Sequence, residues 1–323
     1  MSLPVVVAEH QNSARQRLLK ELLWRRISCT GGWGHQGTQF GTEPTCLALL
    51  ALYASRSGPE ATAEELAPLI ARKLPNGLLP ATDADAASGN FWATAMAVNA
   101  LMIFGVAPET LAASLQALVR CRPRESSWLV RLKFRFSDRQ VRFDPTKYGW
   151  PWVLDTMSWV EPTSMVLIAL ERAKNHGLIH GGEFWYRFNL GADMLLDRAC
   201  PDGGWNAGNA VVYGVPLRPH LDATALALAA LRFHYHLHTV NSSLTWMLNR
   251  LDCPSAYSLA WVILAAAAYK KVRSDVSPAL DIARDRLAIL VEDPRSVEDT
   301  STIALAALAL APETAINPFE VEM

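Results

Sequence analysis

The chain has 323 residues, 50% of them hydrophobic, enough to bury a large core in one big domain or to build two ordinary ones. Its 30 lysines and arginines balance 31 acids, so no global charge excess recruits nucleic acid, and a charged partner has to meet a local patch. Five widely spaced cysteines without a CxxC pair exclude a disulfide framework and a zinc ribbon, and they suit a reducing cytoplasm.

Two kinds of segment alternate along the chain. The first, Ser13 to Ile27, is amphipathic and follows a start, Met1 to His10, whose apolar run is too short for a signal peptide. Next comes a segment anchored at Thr45, with Leu47 two positions on and Leu52 seven positions on. The alternation then repeats. Amphipathic stretches at Thr62 to Leu74, Pro108 to Val119, Glu183 to Ala199, Asn241 to Leu251 and Asp275 to Val291 are each followed by an anchored one, at Thr94, Thr163, Thr224, Tyr257 and Ser301. At the same two offsets these carry Met96 and Leu101, Met165 and Leu170, Leu226 and Leu231, Leu259 and Leu264, and Ile303 and Leu308.

Offsets of two and seven do not lie on one helical stripe, and alanine fills much of the space between. The anchored segments therefore read as helices that are apolar nearly all round and buried. The anchors stand 49, 69, 61, 33 and 44 residues apart, as helical pairs joined by variable loops do. Each apolar helix needs a neighbour on both sides, and closing the row supplies one without capping repeats. The predicted fold is a single all-α domain over residues 1–323, an (α/α)6 toroid of six outer and six parallel inner helices. An open helical repeat or two bundles is the alternative. The longest apolar stretch, Tyr257 to Tyr269, falls short of the roughly 20 residues that cross a bilayer, so no span is predicted.

An insertion of about 121–160 interrupts the alternation. From Trp128 to Asp144, Val130, Leu132, Phe134 and Phe136, then Val141 and Phe143, flank a Ser137-Asp138 turn with strand periodicity, which predicts a small β-hairpin at one end of the ring. Arg131, Lys133 and Arg135, with Arg139 and Arg142, line its other face. They read as a solvated face, or, if they overhang the mouth, as a site for a diphosphate or an anionic membrane surface.

Parallel inner helices would gather their amino ends at one mouth. Four starts carry an acid two residues before the anchor: Glu43, Glu161, Asp222 and Asp299. Such acids cap free amides and complement the helix dipole. In an apolar mouth a carboxyl also keeps its proton more readily, as a general acid must, and Asp222 is the leading candidate. The approach loops hold six of the eleven tryptophans, including the Gly-Gly-Trp turns at Trp33 and Trp205. These side chains either wedge between helix pairs or face the cavity, where aromatic faces shelter a cation. Trp92, Tyr257 and Trp261 are the candidates for lining it. His234 and His238 have the i, i+4 spacing of a metal pair, but no third ligand is apparent and no metal or cofactor is expected.

The Gly-Gly-Trp loops, together with HLDATALALAAL (220–231), EPTCLALLAL (43–52) and WVEPTSMVLIAL (159–170), resemble the prenyltransferase and squalene-cyclase repeat, whose fold is an (α/α)6 toroid. The resemblance covers most of the chain and is more specific for fold than for function. It implies that His220, Asp222 and Ala223 stand where class II cyclases carry the three acids of a DxDD box before Thr224. Only the middle acid, the proton donor by analogy, is kept, and Asp83-Ala84-Asp85 is at best a partial box. Cys29 and Cys200 stand near the glutamine position of that family's ring-stapling motif. No inner-helix start supplies the Asp-x-Cys of a zinc prenyltransferase, which is therefore disfavoured.

The resemblance implies a protein acting on or binding a hydrophobic isoprenoid, with Asp222 and His220 catalytic and Glu43, Trp92, Glu161, Tyr257, Trp261 and Asp299 at the substrate. Peripheral membrane contact would accompany such a ligand. The rival expectation is a non-catalytic toroid that binds a lipid or a protein at its acidic mouth, with unrelated toroid chemistry such as carbohydrate processing behind both.

Overall fold

The computed structural model describes residues 3–37, 39–53, 60–136, 141–312 and 315–321. Their helices are α1 (Leu3–Trp24), α2 (Thr42–Tyr53), α3 (Ala63–Ala71), α4 (Phe91–Ile103), α5 (Pro108–Arg120), α6 (Trp128–Phe136) and α7 (Val160–Asn175), followed by α8 (Gly182–Asp197), α9 (Leu221–Ala230), α10 (His238–Leu248), α11 (Ala256–Ala267), α12 (Val276–Leu290) and α13 (Thr300–Ala309). All six anchored segments are helical, as α2, α4, α7, α9, α11 and α13.

The anchored helices form the inner layer because their alanine and leucine content favours helix and leaves no polar face to hydrate. In α9 and α13 nearly every residue is buried. Each inner helix packs on the next, α2 on α4, then α7, α9, α11 and α13, and α13 returns to α2. The ring is closed. Outside it, α3, α5, α8, α10 and α12 lie against α2, α4, α7, α9 and α11, while α1 lies against α13.

Hydrogen bonds between loops fix the amino ends of neighbouring inner helices at one rim. The first-residue amides of α13, α2, α4 and α7 donate to the loop that precedes the next inner helix: Thr300 N to His35 O (3.0 Å), Thr42 N to Ala81 O, Phe91 N to Trp152 O and Val160 N to Ala207 O (each 2.9 Å). Helix-start amides lack intrahelical partners, so this lacing satisfies donors that would otherwise need side-chain caps.

The anchor residues act through the same loops. Thr45, Thr163 and Thr224 each accept from the backbone amide of a turn tryptophan, Trp33, Trp150 and Trp205, at 2.9 Å, and donate back to the same residue's carbonyl. The three indole N–H groups donate to Leu22 O, Leu118 O and Leu195 O near the ends of α1, α5 and α8. All three tryptophans are fully buried, so they wedge helix pairs together.

The insertion divides differently from the expected hairpin. Residues 128–136 form helix α6, while Val141–Arg142 (β1) pairs antiparallel with Val211–Val212 (β2), which pairs with Val215–Pro216 (β3). The apolar alternation also fits a helix, because Trp128, Leu129 and Leu132 fall within about a third of its circumference. The tight turn belongs instead to Tyr213 and Gly214, whose φ values of 51° and 76° suit a two-residue connection. The expected turn residues Ser137 and Asp138, and Arg139, lie outside the described residues.

Candidate functional site

Six of the residues singled out above meet at the rim, one from each inner helix: Glu43 (α2), Trp92 (α4), Glu161 (α7), Asp222 (α9), Tyr257 (α11) and Asp299, the N-cap of α13. Trp261 stands one turn below Tyr257. His220 caps α9 from outside; it is exposed, and its backbone amide donates to Trp205 O at 2.8 Å.

The aromatic residues form a column down the axis. Trp152, from the loop before α7, lies 5.6 Å from Trp92, which lies 6.4 Å from Trp261 in an edge arrangement, and Tyr257 meets Trp261 at the same distance. Beneath them the Phe319 ring lies 4.6 Å from Trp261. Trp261 and Phe319 are almost wholly inaccessible, so the axis is filled at mid-depth. Beside the rim a cavity of about 420 Å³ opens between Trp152, Met157, Trp159 and Arg124. The aromatic surface presented to a ligand is thus at the mouth.

The acids fall into two groups. Glu43 Oε2 accepts from Trp92 Nε1 at 2.8 Å, and burial raises its pKa above the ordinary carboxylate range, while nearby His35 and the Trp92 bond act in the opposite direction. His35 Nδ1 lies 3.2 Å from Asp299 Oδ1 and 3.5 Å from Ser301 Oγ, and the Asp299 contact holds the imidazole pKa above its usual value. Both partners meet the same ring nitrogen, so this is no Ser-His-Asp relay, in which the hydroxyl and the carboxylate hold opposite nitrogens. Asp299 also caps α13 through Thr302 N at 3.2 Å.

Across the rim, Glu161 loses hydration without gaining a cation. Burial, opposed by a backbone hydrogen bond at Glu161 and aided by the weaker influence of the Asp222 charge, pushes its pKa up to about 7. Its Oε2 is buried and unpartnered. Asp222 Oδ1 accepts from Ala223 N at 3.0 Å in the first turn of its helix. Tyr257 sits between the groups: burial drives its hydroxyl pKa well up, and Glu43, Asp222 and Asp299 all act on it. The arrangement offers a carboxyl whose pKa is raised to about 7, a second acid beside it, and aromatic faces below.

His35 and Phe319 are parts of this site that were not anticipated from the sequence, whereas Trp152 is one of the six approach-loop tryptophans. His35 directly follows the first Gly-Gly-Trp-Gly turn and was open to notice; Phe319, after the last repeat, carries no local signal.

No family model matches the sequence. No curated protein does either. Among solved structures, the apo form of the type II terpene cyclase MstE from Scytonema aligns with a TM-score of 0.55 and 17% identity, over 88% of this chain and 80% of that one. The fold is the terpenoid-cyclase-like α/α toroid. A protein geranylgeranyltransferase-I from Candida albicans, complexed with GGPP, aligns with a TM-score of 0.48 and 15% identity over 83% of each chain. At 17% identity the likeness to the cyclase speaks for the toroid itself, and the chemistry has to be argued from this chain's own mouth.

Proposed function

We propose that this toroid binds a hydrophobic isoprenoid at its aromatic, acidic mouth and that Glu161 with Asp222 starts a protonation-initiated reaction there. The observation that carries this reading is the Glu161 carboxyl: buried, unpartnered at one oxygen, beside a second acid, with a pKa of about 7. Such a group can give its proton to an alkene or epoxide near neutral pH. For an alkene, the O–H bond breaks as the π pair forms a C–H bond, leaving a cation at the more substituted carbon. Faces of Trp92, Trp152 and Tyr257 would shelter that cation. A proton released at the end would restore the acid through the pair, in which Asp222 keeps Glu161 basic enough to take it back. The role expected of Asp222 alone is thereby shared.

A ligand of this kind partitions into lipid, and the mouth side carries exposed apolar residues on α6, Trp128, Leu129 and Leu132, with Arg131 and Lys133 on the same helix. The reading therefore includes peripheral docking on an anionic membrane.

A second reading has its own support. Because Trp261 and Phe319 fill the axis, a long polyene has no deep chamber to fold in, which favours a toroid that binds its ligand without turning it over. Incubation with squalene, oxidosqualene and farnesyl and geranylgeranyl diphosphates, with products read by mass spectrometry, separates the two. The proposal expects cyclised or isomerised product from wild type and at least a hundredfold less from Glu161→Gln. Bound but unchanged ligand with both proteins would leave only the binding toroid.

A further inference from the structure

The end of the ring opposite the acidic mouth is closed by the chain itself. After α13, residues 315–321 cross the carboxyl ends of the inner helices. Asn317 donates to Leu264 O on α11 at 2.8 Å, and Asn99 on α4 donates to Pro318 O at 2.9 Å. Arg172 on α7 reaches Pro318 O (2.8 Å), Glu320 O (3.2 Å) and the Asn99 carboxamide (2.7 Å). Apart from the Asn317 side chain, this clamp grips backbone carbonyls of the segment, so it does not specify Phe319 or Val321.

Two of those side chains point into apolar space. Phe319 and Val321 are 1% and 3% exposed, and Phe319 rises along the axis to meet Trp261. The ring wall is complete without them, since every inner helix already has two inner neighbours. Directly above, the buried Trp261 Nε1–H meets the Tyr257 hydroxyl only in poor geometry, an interaction that favours the charged form of that hydroxyl. Buried donors are nearly always well paired, so a poorly satisfied one on the axis marks a place where a ligand oxygen would fit.

We infer that residues 315–321 are a removable plug and that the space filled by Phe319 and Val321 is a latent site for an apolar chain ending in an oxygen acceptor near Trp261. Displacing the plug opens this space beneath Trp261. Its ligand class rests on the isoprenoid reading above; the plug and the space behind it do not.

Farnesol, a prenyl chain with one hydroxyl, is the probe, and toluene is its control for bare apolar space. An apolar cavity left by removal of a large side chain stays dry and takes up small aromatics. The Phe319→Ala protein is expected to bind toluene, seen by ligand-observed NMR, and to bind farnesol about tenfold more tightly than wild type. In wild type, farnesol is expected to speed amide exchange at 315–321 while the inner helices stay protected. If wild type binds farnesol but exchange there is unchanged and Phe319→Ala binds no tighter, the ligand stays at the mouth and the plug proposal falls, with the isoprenoid reading intact. If farnesol binds neither protein while toluene binds Phe319→Ala, the isoprenoid reading falls and the latent space stands. Failure of toluene to bind Phe319→Ala, with the protein still folded by circular dichroism, would overturn the latent site.

Discussion

Trp92 donates its indole N–H to Glu43 at 2.8 Å, joining the second residues of adjacent inner helices across the rim. The bond favours the charged form of a carboxyl whose pKa burial raises. Trp92→Phe keeps the aromatic face and removes the donor. The Glu43 pKa should then move further up, as read by a carbon-detected carboxyl titration; an unmoved titration would show that the bond exerts no such control.

Glu161 gives a pH dependence of stability with a definite sign. Its folded pKa, about 7, lies above the 4.5 of the unfolded carboxyl, so the native state holds the extra proton between those values. The stability it contributes is fully present below about pH 4.5 and is lost as pH rises through 7. The upper limit is on the order of 3 kcal/mol, less whatever solvent reaches the partly exposed group. Glu161→Gln should flatten the fall in Tm between pH 5 and 8 and be the more stable protein at pH 8. Parallel profiles for the two proteins would show that Glu161 titrates normally.

The turn tryptophans make the glycines beside them specific. At Gly149 an added Cβ would stand 2.1 Å from the Thr163 hydroxyl, and at Gly32 it would meet the Phe40 ring at 2.3 Å. Neither needs a left-handed backbone; what they need is room for the threonine clamp. Gly149→Ala should cost about 2–3 kcal/mol in chemical denaturation, in the range of overpacked buried sites. Thr163→Val removes a hydroxyl that both accepts from and donates to Trp150, at about 1–2 kcal/mol, whereas Thr163→Ser should recover most of it.

These clamps show where the sequence was legible. Six helices with no polar face can only be an inner layer, and an acid two residues before a Thr or Ser anchor marked four of the six starts; the other rim residues followed from that register. The insertion was harder, because the pattern of Trp128 to Phe134 satisfies periods of both 2 and 3.6 over so short a run, and the partner of β1 lies some 70 residues away in the loop before α9. The burial of single polar groups was not legible. Glu161 and Asp222 carry equivalent sequence positions, yet only the fold shows that Glu161 keeps an unpartnered oxygen. Phe319 belongs to no repeat, so nothing local announces that it seals the axis.

The α6 surface makes a membrane prediction. With Trp128 66% and Leu129 59% exposed beside basic residues, the helix should bring the protein to vesicles containing phosphatidylserine and much less to neutral ones. Trp128→Ser with Leu129→Ser should cut co-sedimentation several-fold at unchanged Tm. Equal sedimentation of the double variant would place the contact elsewhere or abolish it.

The loop that carries Trp159 into the rim hangs on a buried ion pair. Glu125 is wholly buried and Arg198 is 3% exposed; their charged groups lie 3.6 Å apart, and both grip Ser158, Glu125 accepting from its amide at 2.9 Å and Arg198 donating to its carbonyl at 2.7 Å. Burial lowers the Arg198 pKa, and the Glu125 charge opposes that. Removing the acid alone strands a buried cation, so Glu125→Ala should cost about 3–5 kcal/mol, whereas Glu125→Ala with Arg198→Met should recover much of the loss. The double variant still lacks both bonds to Ser158. Amide exchange over 153–159 should therefore rise in it even where global stability returns, and ligand binding at the mouth should weaken with it. A double variant as unstable as Glu125→Ala would mean that the Ser158 bonds, and not the stranded charge, carry the cost.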